Sequence, residues 1–205
     1  MSVVVLISGR GSNLQAFFEA GLPVSAVISN VAGAAGLALA AKRGVPAKVV
    51  PHKDFPSREA FDAALAQEID GFSPRLVALA GFMRVLTPGF VHRYRERMLN
   101  IHPSLLPAFP GLDTHSRALA EGVKLHGCSV HFVTAELDHG PIVAQAAIPV
   151  RREDTAASLA QRVLKQEHVV YPRAVRWFLD GKLVIGDGTV SVKGSDAQLV
   201  FDDSP

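Results

Sequence analysis

One cysteine, Cys128, is all the chain has in 205 residues. That excludes an internal disulfide, a Cys-x-x-Cys redox pair and a thiolate zinc knuckle, and it favours a reducing, cytoplasmic setting. Charge of one sign is also missing: 21 basic residues face 19 acidic ones. No Lys/Arg stripe is present of the kind that displaces counterions from a polyanion, so a nucleic-acid partner is not expected. Long apolar runs are absent too. From Ala20 to Ala41 there is no charge, but Gly21, Pro23, Ser25, Ser29, Asn30, Gly33 and Gly36 interrupt the stretch, and a membrane span needs about 20 uninterrupted apolar residues. Met1 to Ile7 lacks the basic start and the cleavage site of a signal peptide, so it reads as a buried strand.

What is present is a globular composition: 48% apolar, 20% charged, with a mean hydropathy of +0.22. A chain of this length removes roughly 70% of its unfolded surface from water and needs neither disulfides nor a structural metal to stay folded.

Short apolar runs alternate with stretches of helical period. Strands are predicted at Val3 to Ile7, Val24 to Ser29, Ala47 to Val50, Leu76 to Ala80 and Met98 to Ile101. Helices are predicted over Ser12 to Ala20, over Gly36 to Arg43 and from Ser57 onward. Farther on come a helix near Thr114 to Glu121, strands over Cys128 to Val133 and Ile142 to Val150, and a long helix from Thr155 towards Asp180 capped by Asp154. A hairpin turns at Asp187-Gly188, and an acidic, mobile tail begins at Gly194. Continuous apolar strands separated by helices imply an α/β fold: a single Rossmann-like domain, residues 1–193, with a mostly parallel central sheet and helices on both faces. In such sheets ligands gather at the carboxyl ends of the strands.

The polar motifs fall at those ends. After the first strand comes Ser8-Gly9-Arg10-Gly11-Ser12-Asn13, a glycine turn entering a helix, where free N–H groups and the helix dipole favour phosphate. It is not a dinucleotide fingerprint, because Leu14 stands where the third glycine belongs, and no Lys follows to make a Walker loop. An ordinary strand-to-helix turn is the competing reading. In Asn100-Ile101-His102-Pro103, alternation puts Asn100 and His102 on one side, and Pro103 holds His102 extended. An amide beside an imidazole suits oxyanion stabilisation with proton transfer, while a strand-end pair that merely satisfies loop backbone is the plainer alternative. Ser129 and His131 also share a strand face. Asp138, in the loop before Gly140-Pro141, would favour the imidazolium if it lies near His102; an Asx turn is the other possibility. Glu167 falls at the edge of the apolar stripe Leu159, Val163, Val170, Ala174, Trp177, and a carboxylate there wants a ligand or a lysine. Pro172 interrupts the same helix. None of the eight histidines falls in a helical His-x-x-x-His or His-Glu-x-x-His pattern, so no catalytic metal is expected, and there is no Gly-x-Ser-x-Gly elbow.

Taken together, Gly11-Ser12-Asn13, Ala80-Gly81-Phe82-Met83-Arg84, Asn100 to Pro107, Leu137-Asp138 with Gly140-Pro141, and Gln166-Glu167-His168 with Tyr171-Pro172 resemble the phosphoribosylglycinamide formyltransferase family from Val3 to about Asp180. The Asn-x-His-Pro-Ser-Leu-Leu-Pro block is shared with methionyl-tRNA formyltransferase, which is longer, and with formyltetrahydrofolate hydrolase, which usually carries an N-terminal regulatory domain. The resemblance implies formyl transfer from 10-formyltetrahydrofolate, a co-substrate, to the amine of 5-phosphoribosylglycinamide without a metal. It implies small-molecule substrates, no membrane partner, and leaves a homo-oligomer open. Carried over by position, Asn100, His102 and Asp138 would be catalytic. Gly11, Ser12, Asn13 and Glu167 would hold phosphoribosylglycinamide, and Arg58, Met83, Arg84, Val85, Leu86, Asn100, Thr134 and Asp138 the formyl folate. His139 stands where the family usually has a small residue, Cys128 where threonine is common, and the stretch after Asn30 is rich in alanine. A hydrolase and a non-catalytic phosphoribosyl-ligand domain are the competing functions.

Overall fold

All five residues of strand β1 (Val3–Ile7) are buried, as a strand covered on both faces requires. The computed structural model describes residues 2–194 and 197–202, and the chain forms two compact units, residues 1–100 and 101–205. In the first, β1 lies between β2 (Val24–Ser29) and β4 (Leu76–Leu79), with β3 (Ala47–Val49) outside β2 and β5 (Met98–His102) outside β4. All four pairings are parallel. The order 3-2-1-4-5 changes direction between β1 and β4, and sheets of this kind bind ligands at the carboxyl ends of the strands beside such a point.

Helix α1 (Ser12–Glu19) starts from Gly11, whose φ of 77° lies in the left-handed region. A Cβ there would stand 2.8 Å from the Cα of Gly36, in the first turn of α2 (Ala35–Lys42). Gly36 N also donates to Gly9 O at 3.1 Å, so the two helix starts pack backbone to backbone. The third helix, α3 (Arg58–Asp70), begins at Ser57, whose hydroxyl accepts from Ala60 N at 3.1 Å. A short helix that the periodicity does not predict, α4 (Pro88–Arg93), follows Thr87, whose Oγ1 accepts from Phe90 N. Thr-Pro is a start signal, but six residues with two buried apolar side chains, Phe90 and Val91, are too few to show a period.

The last two residues of β5, Ile101 and His102, open the second unit. There α5 (Thr114–Ala120) precedes an antiparallel pair, β6 (Leu125–Phe132) and β7 (Ile142–Pro149), and α6 (Ala156–Leu179) packs on both strands. The stripe Leu159, Val163, Val170, Ala174 and Trp177 is buried, as the spacing predicts. The cap of α6 is Thr155 rather than Asp154: Thr155 Oγ1 accepts from Ser158 N, and Ser158 Oγ accepts from Thr155 N. Asp154 instead ties the entry loop down, accepting from Arg151 N at 2.8 Å and Arg162 Nη1 at 2.7 Å. Pro172 does not end the helix, which continues to Leu179.

Strands β8 (Leu183–Gly186) and β9 (Thr189–Val192) form the expected hairpin, with Asp187 and Gly188 both at positive φ as a type I′ turn demands. The stretch read as a mobile tail from Gly194 contains a strand, β10 (Leu199–Phe201), parallel to β7. Gln198 Nε2 donates to Val143 O and Val190 O, and Gln166 Nε2 to Asp202 Oδ2. Three apolar residues between polar neighbours give too weak a pattern to reveal this strand. Of that predicted tail, residues 195, 196 and 203–205 lie outside the described residues. Among the described residues no helix is long and apolar enough to cross a membrane.

Candidate active site

His102 ends β5, and its side chain is 6% exposed. Its Nε2 donates to Phe109 O at 2.9 Å, and its Nδ1 stands 3.4 Å from Asp138 Oδ2. Both nitrogens therefore face acceptors, an arrangement that a ring carrying two protons satisfies on each side. Asp138 reaches this position from the loop after β6, at φ 52°, a conformation that aspartate tolerates better than most residues. Its carboxylate also accepts from Gly111 N at 2.9 Å and lies 3.8 Å from His131 Nε2. The contact to a distant loop, not an Asx turn, is what its side chain serves. Gly140 closes the loop: a Cβ there would collide with Phe132 O.

His131 lies beside the site although none of the family motifs marks it. Its Nδ1 donates to Phe132 O at 2.9 Å, and burial holds its pKa below the usual histidine range, so it is neutral near neutral pH. The alternation with Ser129 was the available signal. Ser129 itself fastens the proline turn after His102. Its hydroxyl donates to Ser104 O at 2.7 Å and accepts from Leu106 N at 2.9 Å and Gln145 Nε2 at 2.8 Å. Beyond the turn, His115 Nδ1 and His126 Nε2 are 3.1 Å apart, a contact needing one donor and one acceptor. Burial, aided by the neighbouring histidines, pushes His126 down to about 4, and His115 is lowered for the same first reason.

Asn100 precedes His102 by two residues on β5, so the two share a side of the strand, Asn100 half-buried. Thr134 Oγ1 donates to Glu136 O at 3.1 Å in the Asp138 loop. Glu167 is buried on α6, and its charge adds to burial in pushing the Cys128 thiol up.

The first unit brings together the two groups of residues expected around the substrates there. Ser12 opens α1 and Asn13 is buried beside it. Just before that turn, Ser8 Oγ accepts from Met83 N at 2.8 Å, and Ser8 N donates to Gly81 O at 3.0 Å. Met83 and Val85 are 68% and 53% exposed, Arg84 is half-buried and Leu86 is buried. The segment's far end is held where Thr87 N donates to Asp62 Oδ2 at 2.7 Å. Arg58 is exposed one turn before Asp62 on α3, on the same helix face. Among the described residues no group of three or more His, Cys, Asp or Glu side chains is placed to hold a metal ion.

In sequence the chain matches the formyl transferases. The family's sequence model matches residues 1–175, and the chain is a member of that family. More narrowly, it is 48% identical over 200 residues to a phosphoribosylglycinamide formyltransferase of Escherichia coli, covering 95% of this chain and 94% of that protein. The crystal structure of the phosphoribosylglycinamide formyltransferase from Anaplasma phagocytophilum matches with a TM-score of 0.94 at 44% identity, covering 99% of both chains. A formyltetrahydrofolate deformylase from Pseudomonas syringae is more distant, with a TM-score of 0.87 and 27% identity over 93% of this chain and 65% of that one.

Proposed function

We propose that this chain transfers the formyl group of 10-formyltetrahydrofolate to the primary amine of 5-phosphoribosylglycinamide in purine synthesis, and that residues 1–193 act as one formyltransferase domain. The observation that carries the reading is the buried pair formed by His102, on the strand that also bears Asn100, and Asp138, 3.4 Å away. Identity of 48% to a formyltransferase over nearly the full length of both proteins supports it.

The neutral amine attacks the formyl carbon, forming a C–N bond and leaving the carbonyl oxygen as an oxyanion. Asn100 donates a hydrogen bond to that oxygen. As the bond from carbon to the folate nitrogen breaks, that nitrogen takes a proton from the His102 imidazolium, while the proton lost by the amine passes, through water, to Asp138. Since both His102 nitrogens already have partners, substrate reaches a ring proton only by displacing the Phe109 carbonyl or Asp138. His131 lies behind Asp138, its Nε2 3.8 Å from the carboxylate and its Nδ1 proton committed to Phe132 O. Gly11, Ser12 and Asn13 take the substrate phosphate with backbone N–H groups, and Glu167 takes its ribose or glycinamide part. Arg58, Met83 to Leu86, Asn100, Thr134 and Asp138 shape the folate site. The steps call on no metal, and the enzyme acts on small molecules in the cytoplasm, as a monomer or a small homo-oligomer without nucleic-acid or membrane partners.

The test is an absorbance assay of the folate with purified protein and formyl donor, with and without 5-phosphoribosylglycinamide. Transfer predicts deformylation only when the acceptor is added. Formate release without the acceptor identifies a hydrolase, and binding without product a ligand-binding domain.

A further inference from the structure

The strand ends of the first unit carry a chain of hydrogen bonds that the transfer steps do not use. Ser8 Oγ donates to Asn30 Oδ1 at 2.6 Å and accepts from Met83 N at 2.8 Å. With Oδ1 turned to Ser8, the Asn30 Nδ2 faces His52 Nδ1 at 3.1 Å, and that ring nitrogen is also 3.1 Å from Asn30 O. Asn30 is 5% exposed. The chain therefore links the residue after β2, the residue after β1 and the segment after β4.

That segment needs such a link. Residues 82–87 lie in no helix or strand, yet they include Met83 and Val85, two of the exposed apolar side chains. A strand would hold them by its ladder. Here the backbone N–H groups of Met83 and Thr87 are held by side chains instead, Ser8 at one end and Asp62 at the other. A serine hydroxyl can rotate and offer either its proton or a lone pair. Asn30 removes the choice: its carbonyl oxygen takes the proton, so a lone pair is left for Met83 N. In the tautomer that leaves His52 Nδ1 unprotonated, the Asn30 Nδ2 donates to it and the amide is held with Oδ1 toward Ser8.

We propose that Ser8 and Asn30 are positioning residues for the formyl donor, holding Met83 to Leu86 in the binding conformation before folate arrives. The proposal rests on the function proposed above and adds to it two residues that would touch neither substrate. Pre-organisation of this kind appears in affinity, because a segment already ordered does not have to be ordered on binding.

The experiment is steady-state kinetics on the full chain, with tetrahydrofolate titrated calorimetrically as an unreactive probe. Loss of one hydrogen bond corresponds to about a fivefold to tenfold change. Ser8→Ala and Asn30→Leu are each expected to raise the donor KM and the tetrahydrofolate Kd by that factor. The acceptor KM should stay within about twofold and kcat within about threefold. Ser8→Thr, which keeps the hydroxyl, restores both constants, and the double variant Ser8→Ala/Asn30→Leu is no worse than either single one. In the unsubstituted protein the Met83 amide, although it lies outside any ladder, is expected to exchange slowly with solvent. An unchanged donor KM in Ser8→Ala, additive losses in the double variant, or fast Met83 exchange overturns the proposal. If the natural chain binds tetrahydrofolate but forms no product, the transfer reading fails while the titrations and the exchange rate still judge the positioning role. A natural chain that binds no tetrahydrofolate overturns both.

Discussion

Asp138 Oδ2 lies 3.4 Å from His102 Nδ1 while accepting a hydrogen bond from Gly111 N at 2.9 Å. One carboxylate oxygen thus ties its own loop to the strand end at His102 and to the turn at Gly111.

Replacing Asp138 by Asn keeps the shape and removes the charge. The Asp138→Asn protein is expected to fold, to lose turnover, and to show a pH–rate profile displaced from that of the natural chain. Unaltered turnover with an unaltered profile would show that the carboxylate does not act on His102.

His102→Ala and Asn100→Ala remove the two donors proposed for the reacting carbon. Each should lower kcat by about 10²- to 10³-fold, on the order of 3 kcal/mol in the barrier, while binding of phosphoribosylglycinamide, measured calorimetrically, remains detectable.

Gly11 takes a positive φ and meets Gly36 with no room for a side chain. Gly11→Ala is expected to cost about 1–3 kcal/mol of stability and to raise the acceptor KM, because the turn proposed for the phosphate must shift. Urea unfolding and initial rates check both parts.

His115, His126 and His131 all have pKa values lowered first by burial, His126 to about 4. Below the ordinary histidine value of 6.5, and for His126 down to about 4, the unfolded chain binds more protons than the folded one, so stability falls as the pH is lowered. Each such group contributes a slope of up to about 1.4 kcal/mol per pH unit. Urea midpoints at pH 7 and pH 5 should show the loss, and His126→Gln should reduce it.

Thr155→Ala serves as the contrast. Loss of the reciprocal cap of α6 should cost about 1 kcal/mol, visible as a lower unfolding midpoint with kcat unchanged.

The parallel strands were readable in the sequence because burial on both faces writes continuous apolar runs such as Val3 to Ile7. The long helix was readable because its stripe, from Leu159 to Trp177, repeats over about five turns. Helix α4 and strand β10 are too short for any period to appear. In the site, the alternation of Asn100 with His102 was visible, and so was the resemblance that marked Asp138. His131 was not singled out, because a histidine on a buried strand face reads equally well as a satisfied core residue until Asp138 is seen 3.8 Å away. The Ser8–Asn30–His52 chain was invisible for another reason: parallel pairing of β1 with β2 aligns the ends of strands whose sequence positions carry no common pattern.

Cys128 is fully buried and held as a neutral thiol by its surroundings and by Glu167. Thiol reagents act on the thiolate, so the natural chain offers them no reactive handle. A cysteine introduced at the exposed Leu137 or Met83 would then be labelled alone, and a single fluorophore could follow either loop as substrates bind, with no background mutation needed.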